Sequence, residues 1–127
     1  MTRILFPLFI AVFFHANLWS QCTSGYAELI IEIVPDSYPS EISWDVSTAG
    51  SIVAAGNSVG DTICIDTTQC TIFTIYDSYG DGICCGYGIG YYNLFVNSVL
   101  EATGGEYDSY ESTSFFCPPG SSCENPL

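Results

Sequence analysis

The residues best suited to chemistry lie in one glycine-rich loop, residues 76–90 (YDSYGDGICCGYGIG). The loop contains Asp77 and Asp81, four positions apart, and five of the chain's 12 glycines. Because glycine adopts positive φ without steric cost, we expect the loop to bend several times and to turn backbone carbonyls inward. Carboxylate and carbonyl oxygens are the ligands of hard cations such as calcium. Asp77 and Asp81 are therefore the first candidates for a calcium site.

Asp36 and Glu41 are the second pair of candidate ligands. They lie in a proline-flanked loop next to a predicted strand, and two such loops can meet at one end of a β-sandwich. A second interpretation stays open, in which Asp36 caps its turn, Glu41 faces water, and the glycine-rich loop is a disulfide-rich turn with solvated carboxylates. The spacing Asp-x-x-x-Asp-Gly does not match the EF-hand loop.

Residues 1–20 are predicted to be a secretion signal. Arg3 precedes an apolar run at residues 4–14, which has the length of a signal peptide and is too short to span a bilayer as a helix. We therefore expect a secreted protein with no membrane insertion after the signal is cleaved.

Signal cleavage would leave a chain without cationic side chains. The sequence has one Lys or Arg and one His, which are Arg3 and His15, against 14 Asp and Glu. Each carboxylate of the mature chain must then be solvated, hydrogen-bonded or bound to a metal ion. Nucleic-acid binding is excluded, because no side chain could neutralise the phosphates.

All seven cysteines follow the predicted signal, which in a small secreted domain indicates a disulfide framework. We expect Cys84 and Cys85 to bond to different partners and to staple the glycine-rich loop to a neighbouring strand, because a vicinal bridge closes a strained ring. The other candidates are Cys64 and Cys70, with Cys22, Cys117 and Cys123 as the pool for a terminal staple. An odd number leaves one cysteine free, capped or bonded to another chain.

The composition disfavours an enzyme. A mature chain without His or Lys offers neither an imidazole base nor a Schiff-base amine. Two carboxylates could hydrolyse glycosides, but any pair chosen among 14 would be arbitrary. A non-catalytic protein is therefore predicted.

Tyrosines in predicted loops are candidates for stacking on sugars. Tyr38, Tyr79 and Tyr87 are the main ones, and Tyr107 and Tyr110 also lie in segments that we predict to be loops. The alternative is that such tyrosines pack over the ends of the domain while their hydroxyls bind water.

Alternation of apolar and polar residues predicts an all-β domain over residues 21–117, with a polar tail at 118–127. Short strands separated by turns every eight to twelve residues indicate a disulfide-stapled antiparallel β-sandwich or jelly roll. Trp44 is assigned to the core, and two hairpins are predicted, one from strands four and five and one from strands six and seven. The eight predicted strands are 26–34, 41–47, 51–55, 61–66, 70–76, 91–97, 99–102 and 111–116.

Three segments together carry a family resemblance: 36–44 (DSYPSEISW), 70–85 (CTIFTIYDSYGDGICC) and 88–97 (GIGYYNLFVN). Their order and spacing resemble a small β-sandwich module found in secreted and cell-surface proteins of aquatic bacteria and microbial eukaryotes. There the module usually accompanies peptidases, adhesins or sorting domains. The resemblance implies a β-sandwich fold and an extracellular location, and it implies no activity.

Two functions follow as expectations. The first is a structural module, a subunit of an extracellular fibre or surface layer that binds copies of itself and is stabilised by disulfides and calcium. A terminal segment, either 26–34 or the tail after Phe116, would add a strand to a neighbouring sheet. The second is a monomeric carbohydrate-binding or adhesion module that recognises glycans.

Overall fold

The computed structural model describes residues 22–120, so the predicted signal and Cys123 lie outside the described residues. Eight strands form two four-stranded antiparallel sheets, as predicted, and one short 3-10 turn, Pro39–Glu41, precedes the second strand. The strands are β1 (Tyr26–Val34), β2 (Ile42–Thr48), β3 (Ser51–Gly56), β4 (Asp61–Asp66), β5 (Thr71–Asp77), β6 (Tyr91–Val96), β7 (Val99–Gly104) and β8 (Tyr110–Phe115).

In each sheet, strands that are far apart in the sequence lie next to each other. The first sheet has the order β4-β1-β6-β7 and the second has the order β3-β2-β5-β8. β1 and β6 are interior strands of the first sheet, and β2 and β5 are interior strands of the second. These four strands carry the densest apolar alternation, because their inward faces meet across the sandwich.

The core forms where the inward-facing residues of the two sheets meet. β1 contributes Ala27, Leu29 and Ile31, each at most 2% exposed, as the alternation predicts. Trp44 is also buried, and its indole Nε1 donates a hydrogen bond to the carbonyl of Val59 (3.0 Å). Burying one such large apolar side chain contributes about 1.5–3 kcal/mol, so these interior positions dominate the stability of the domain.

The predicted hairpin between strands four and five is wrong. β4 pairs with β1 in the first sheet, whereas β5 lies between β2 and β8 in the second. The connection crosses between the sheets and is held by Thr67, whose N–H donates to the carbonyl of Gly25 (3.0 Å). Asp66 caps the same turn by accepting from the Thr68 hydroxyl and N–H, and these hydrogen bonds lower the pKa of its carboxyl.

The predicted hairpin between β6 and β7 is confirmed. Its two turn residues, Asn97 and Ser98, have φ values of 48° and 67°. Positive φ at both central positions suits the right-handed twist of the flanking strands.

All six described cysteines are in disulfides, which indicates an oxidising environment. Cys22 bonds to Cys64 and Cys70 bonds to Cys117, which ties both ends of the described chain to the sandwich.

The prediction of separate partners for Cys84 and Cys85 is wrong, since they bond to each other and the peptide bond between them is cis. The glycine-rich loop is therefore not stapled to a neighbouring strand. Distance separates the loop from Cys70, because Cys70 precedes β5 and the loop follows its seven extended residues, which span roughly 20 Å. The other described cysteines, Cys22, Cys64 and Cys117, are paired among themselves and with Cys70.

In residues 22–120, no helix has the length and apolar character needed to cross a membrane.

Removing the disulfides should have unequal effects on stability. The Cys22–Cys64 and Cys70–Cys117 bridges span 42 and 47 residues. Loop-closure entropy predicts that replacing either pair by serine lowers the free energy of unfolding by about 4 kcal/mol. Cys84–Cys85 encloses no chain, so its double serine variant should lose roughly 0.5 kcal/mol or less. Urea unfolding of the three variants measures this, and equal losses would contradict the assignment of the pairs.

Candidate functional site

Three loops meet at one end of the sandwich: the segment between β1 and β2, the glycine-rich loop after β5, and the segment between β7 and β8. Backbone hydrogen bonds tie them together. Ser78 N–H donates to the carbonyl of Glu41 (2.9 Å), and Ser37 N–H donates to the carbonyl of Tyr87 (3.0 Å). Asp77 N–H donates to the carbonyl of Ser109 (2.9 Å). We refer to this region as the loop end of the molecule.

Ile83 anchors the glycine-rich loop in the core. Its side chain is fully buried and belongs to the same apolar cluster as the strand residues. Its N–H donates to the carbonyl of Gly105 (3.0 Å), and its own carbonyl accepts from Gly90 N–H (2.9 Å). At Gly82, with φ of 69°, a Cβ would collide with the carbonyl of Tyr107. Glycine is therefore required where the loop touches the segment between β7 and β8.

Asp77 organises the backbone of the glycine-rich loop. It is the last residue of β5, and its side chain is 4% exposed. Its Oδ1 accepts hydrogen bonds from the N–H groups of Tyr79 (3.0 Å), Gly80 (2.7 Å) and Asp81 (3.4 Å). One carboxylate oxygen thus satisfies three backbone donors, as aspartate does in tight turns.

Three of the four predicted metal ligands come together. Glu41, Asp77 and Asp81 each place one oxygen within 4.8 Å of the others. Oδ1 of Asp81 is buried, and within residues 22–120 it has no hydrogen-bond partner. Burial, and after it the charge of Asp77, raises the pKa of both Glu41 and Asp81. Residues 22–120 contain no Lys or Arg, so the cluster lacks a positive partner.

The geometry of this cluster fits one hard cation. Ligand oxygens lie about 2.3–2.6 Å from calcium, so two ligands of one ion can be at most about 5 Å apart. The mutual spacing of at most 4.8 Å meets that limit. Cys84 and Cys85 lie near Glu106, but as disulfide sulfurs they are poor metal ligands.

Asp36 lies beside the cluster and is not part of it. Its Oδ1 accepts a hydrogen bond from Tyr38 N–H (2.9 Å), so it caps the turn after β1. Its charge still contributes to raising the pKa of Glu41 and Asp81, behind burial and the nearer carboxylates. Asp36 therefore adds negative charge to the loop end without belonging to the group of three close carboxylates.

A pocket of about 180 Å³ opens next to the carboxylates. The rings of Tyr38 and Tyr87 meet edge to face, with centroids 5.4 Å apart and planes at 82°. The pocket thus combines all three main sugar-stacking candidates with two of the predicted metal ligands. Its lining residues are Tyr38, Glu41, Tyr79, Asp81 and Tyr87.

The other two tyrosine candidates do not line the pocket. Tyr107 is half-buried against the core, and its hydroxyl is buried without a hydrogen-bond partner among the described residues. Burial is also the main reason that the pKa of Tyr107 is raised. Tyr110 is not in a loop, because β8 begins with it.

The sequence did not predict that Ile83 and the segment between β7 and β8 hold the glycine-rich loop in place. The signal for the first was an aliphatic residue in the middle of a glycine-rich loop, but the loop holds two, and only Ile83 is buried whereas Ile89 is exposed. Nothing in the composition of residues 105–109 indicated that their carbonyls hold the loop.

No protein-family model, curated protein or solved structure matches this chain. The chemistry of the loop end therefore carries the functional interpretation.

Replacing Asp77 by alanine should destabilise the protein whether or not calcium is present. The variant leaves three loop N–H groups without their acceptor, and each unsatisfied buried donor costs about 1–3 kcal/mol. Asp77→Asn keeps an acceptor oxygen and should recover part of the loss. Thermal unfolding in calcium and in chelator measures the effect. An Asp77→Ala variant as stable as wild type in chelator would show that Asp77 does not hold the loop.

Proposed function

We propose that this protein is a secreted, non-catalytic carbohydrate-binding module whose pocket at the loop end binds sugars. The observation that carries the proposal is the pocket itself, in which three tyrosines and two carboxylates converge. Aromatic faces supply apolar area with little loss of side-chain entropy, and carboxylates accept hydrogen bonds from sugar hydroxyls. The disulfides and the predicted signal support an extracellular location.

The pocket suits a short stretch of glycan. Its volume of about 180 Å³ is below the range typical of pockets for drug-sized ligands. Tyr79 is 74% exposed at its rim, where it can contact a neighbouring sugar unit. We therefore expect weak binding to single sugars and stronger binding to oligosaccharides or surfaces, where several sites act together.

Calcium is proposed to stabilise the loop end. Glu41 and Asp81 would hold the ion beside Asp77, whose Oδ1 is already used by the loop backbone. The buried Oδ1 of Asp81, which lacks a partner in the described chain, supports this assignment because a metal ion would satisfy it. Calcium would supply charge neutralisation and would fix the positions of the pocket walls.

Tyrosine variants test carbohydrate binding. Tyr38→Ala should abolish retention of the protein on an array of immobilised glycans, because it removes one wall of the pocket. Tyr26→Ala is the matched control: Tyr26 and Tyr38 are both 47% exposed, but Tyr26 begins β1 and lies away from the pocket. Equal loss in both variants, or no retention of the wild type on any glycan, would refute the proposal.

The Glu41→Gln variant tests calcium binding, because its effect on the melting temperature should have opposite signs in calcium and in chelator. In calcium the variant loses a ligand and should melt at a lower temperature than wild type. In chelator at pH 7 it should melt at a higher temperature, because it removes one of several facing negative charges.

The pH dependence provides a further check. The pKa of Glu41 is raised in the folded protein above its ordinary value of 4.5. The ionised side chain therefore destabilises the fold at a pH above the folded-state pKa, and this effect disappears at a pH below 4.5, where Glu41 is protonated in both states. The advantage of Glu41→Gln in chelator should therefore fade as pH falls through this range. Glu101→Gln, at an exposed acidic position on β7, is the control. A change of the same sign in calcium and chelator would contradict a metal role.

Self-association into a fibre or surface layer is the second candidate function. β4 pairs with β1 only as far as Ile31, so in the described chain residues 32–34 have a strand on one side only, next to β6. A groove of about 600 Å³ runs along this open stretch, lined partly by Ile30, Ile33 and Phe95. An extended segment of a second copy could add a strand there.

The structure corrects one part of the earlier expectation about the donor segment. Residues 26–34 cannot donate a strand without opening the first sheet, because β1 is paired on both sides over part of its length. The remaining donor is the tail at 118–127. Deleting it should convert multimers to monomers in light scattering and electron microscopy, and Cys123→Ser separates strand addition from a covalent link. Monomers of the full chain, or multimers of the truncated one, would refute this candidate.

A further inference from the structure

We propose that the Cys84–Cys85 disulfide at the loop end is a site of thiol–disulfide exchange, and that the Cys123 thiol of a second copy of this chain attacks it. The product is a covalent link between the loop end of one molecule and the tail of the next. The proposal does not depend on carbohydrate binding. It gives self-association, the second candidate function, a covalent step that can be tested separately.

Of the three disulfides in residues 22–120, this one is the least costly to open. The other two hold together positions 42 and 47 residues apart, whereas Cys84 and Cys85 are adjacent. Opening an adjacent pair frees no further stretch of chain, so no loop-closure entropy opposes the reaction. Cys64 is exposed to attack as well, but breaking its bridge would release a long segment from the fold. Exchange is therefore directed to the Cys84–Cys85 pair.

Access selects the sulfur that is attacked. Cys85 is exposed, whereas Cys84 is half-buried and its N–H donates to the carbonyl of Gly105 (3.0 Å). In exchange, a thiolate bonds to one sulfur of a disulfide and expels the other. Attack on Cys85 forms a Cys123–Cys85 bond, breaks the Cys84–Cys85 bond and releases Cys84 as a thiolate. One thiolate is consumed and one is released, so the step needs neither an oxidant nor a reductant.

The attacking thiol is the one cysteine that the three disulfides leave over. The sequence has seven cysteines, and the bridges use the six that lie in residues 22–120. The seventh is Cys123, three positions beyond the last described residue, Gly120. An ordinary cysteine is a few per cent thiolate at pH 7, and this fraction rises with pH, which makes Cys123 a competent nucleophile.

The geometry favours a link between two molecules, because the tail leaves from the opposite end of the sandwich. Cys117 is bonded to Cys70, which precedes β5, whereas the glycine-rich loop follows β5, roughly 20 Å away. The six residues from Cys117 to Cys123 reach about 20 Å at full extension. They would have to lie stretched along the whole strand merely to arrive at the start of the loop. A link from the tail of one copy to the loop end of the next leaves one of each site unused, so it extends into linear chains.

Glu106 gives the site a charge signature. Its Oε1 lies 3.5 Å from Sγ of Cys85, so its carboxylate repels an approaching thiolate. The Glu106→Gln variant should therefore exchange roughly fivefold faster at low salt, and the difference should shrink as salt is raised. Glu101→Gln is the matched control, because Glu101 is also exposed but lies on β7, and it should keep the wild-type rate.

The test mixes two variants of the secreted protein, each able to take one part in the reaction. Cys84→Ser with Cys85→Ser keeps the attacking thiol, whereas Cys123→Ser keeps the disulfide. Mixed at pH 8 without oxidant, they should form a covalent heterodimer on non-reducing electrophoresis. An alkylating agent stops the reaction, because it caps the released Cys84 thiol and prevents the reverse attack. The capped thiols, counted by mass spectrometry, should show one thiol lost from the first variant and one gained by the second.

The wild type should form a ladder of covalent multimers that keeps one thiol per chain. Absence of the heterodimer would overturn the proposal, as would a link that consumes two thiols, which is the signature of oxidative pairing between two Cys123 residues. An unchanged rate in Glu106→Gln would overturn the attack on Cys85. Multimers that fall apart in non-reducing detergent would leave strand addition standing without the covalent step. None of these measurements depends on whether the protein binds glycans.

Discussion

Negative charge without a cationic side chain is the constraint on which the loop end depends. Glu41, Asp77 and Asp81 face one another, while residues 22–120 contain no Lys or Arg that could pair with them. Like charges at this spacing oppose folding unless something neutralises them. Backbone N–H groups satisfy one oxygen of Asp77, but Oδ1 of Asp81 stays without a partner in the described chain. A cation bound from solution would neutralise these carboxylates and give Oδ1 of Asp81 a partner.

The sandwich makes this concentration of charge possible. The antiparallel register places the end of β5 next to the start of β2, so Asp77 pairs with Ile42 and lies beside Glu41. Ile83 then fixes the return of the glycine-rich loop, which brings Asp81 back towards Asp77. The buried anchor and the interior strands together supply the stability that offsets the repulsion. The two long-range disulfides add to it away from the loop.

Sequence patterns predicted the strands well because alternation reports directly on which face is buried, as at Ala27, Leu29 and Ile31. They could not assign strands to sheets: a short turn after Asp66 suits a hairpin and a crossover equally well. Spacing brought Asp77 and Asp81 forward as one pair, and the position of their loop added Asp36 and Glu41 as a second pair. Neither pattern could show that Asp77 serves the loop backbone or that Asp36 stays outside the cluster. The pairing of Cys84 with Cys85 also depends on distances along β5 that only the fold provides.

The most direct test of cation binding at the loop end is a crystal structure from crystals grown in calcium, with anomalous data collected to locate the ion. One anomalous peak is expected between Glu41 and Asp81, with carboxylate oxygens about 2.3–2.6 Å away. Ordered carboxylates around water, with no peak at the loop end in saturating calcium, would contradict it. The negative charge would then have to be balanced by solvent or by the ligand alone.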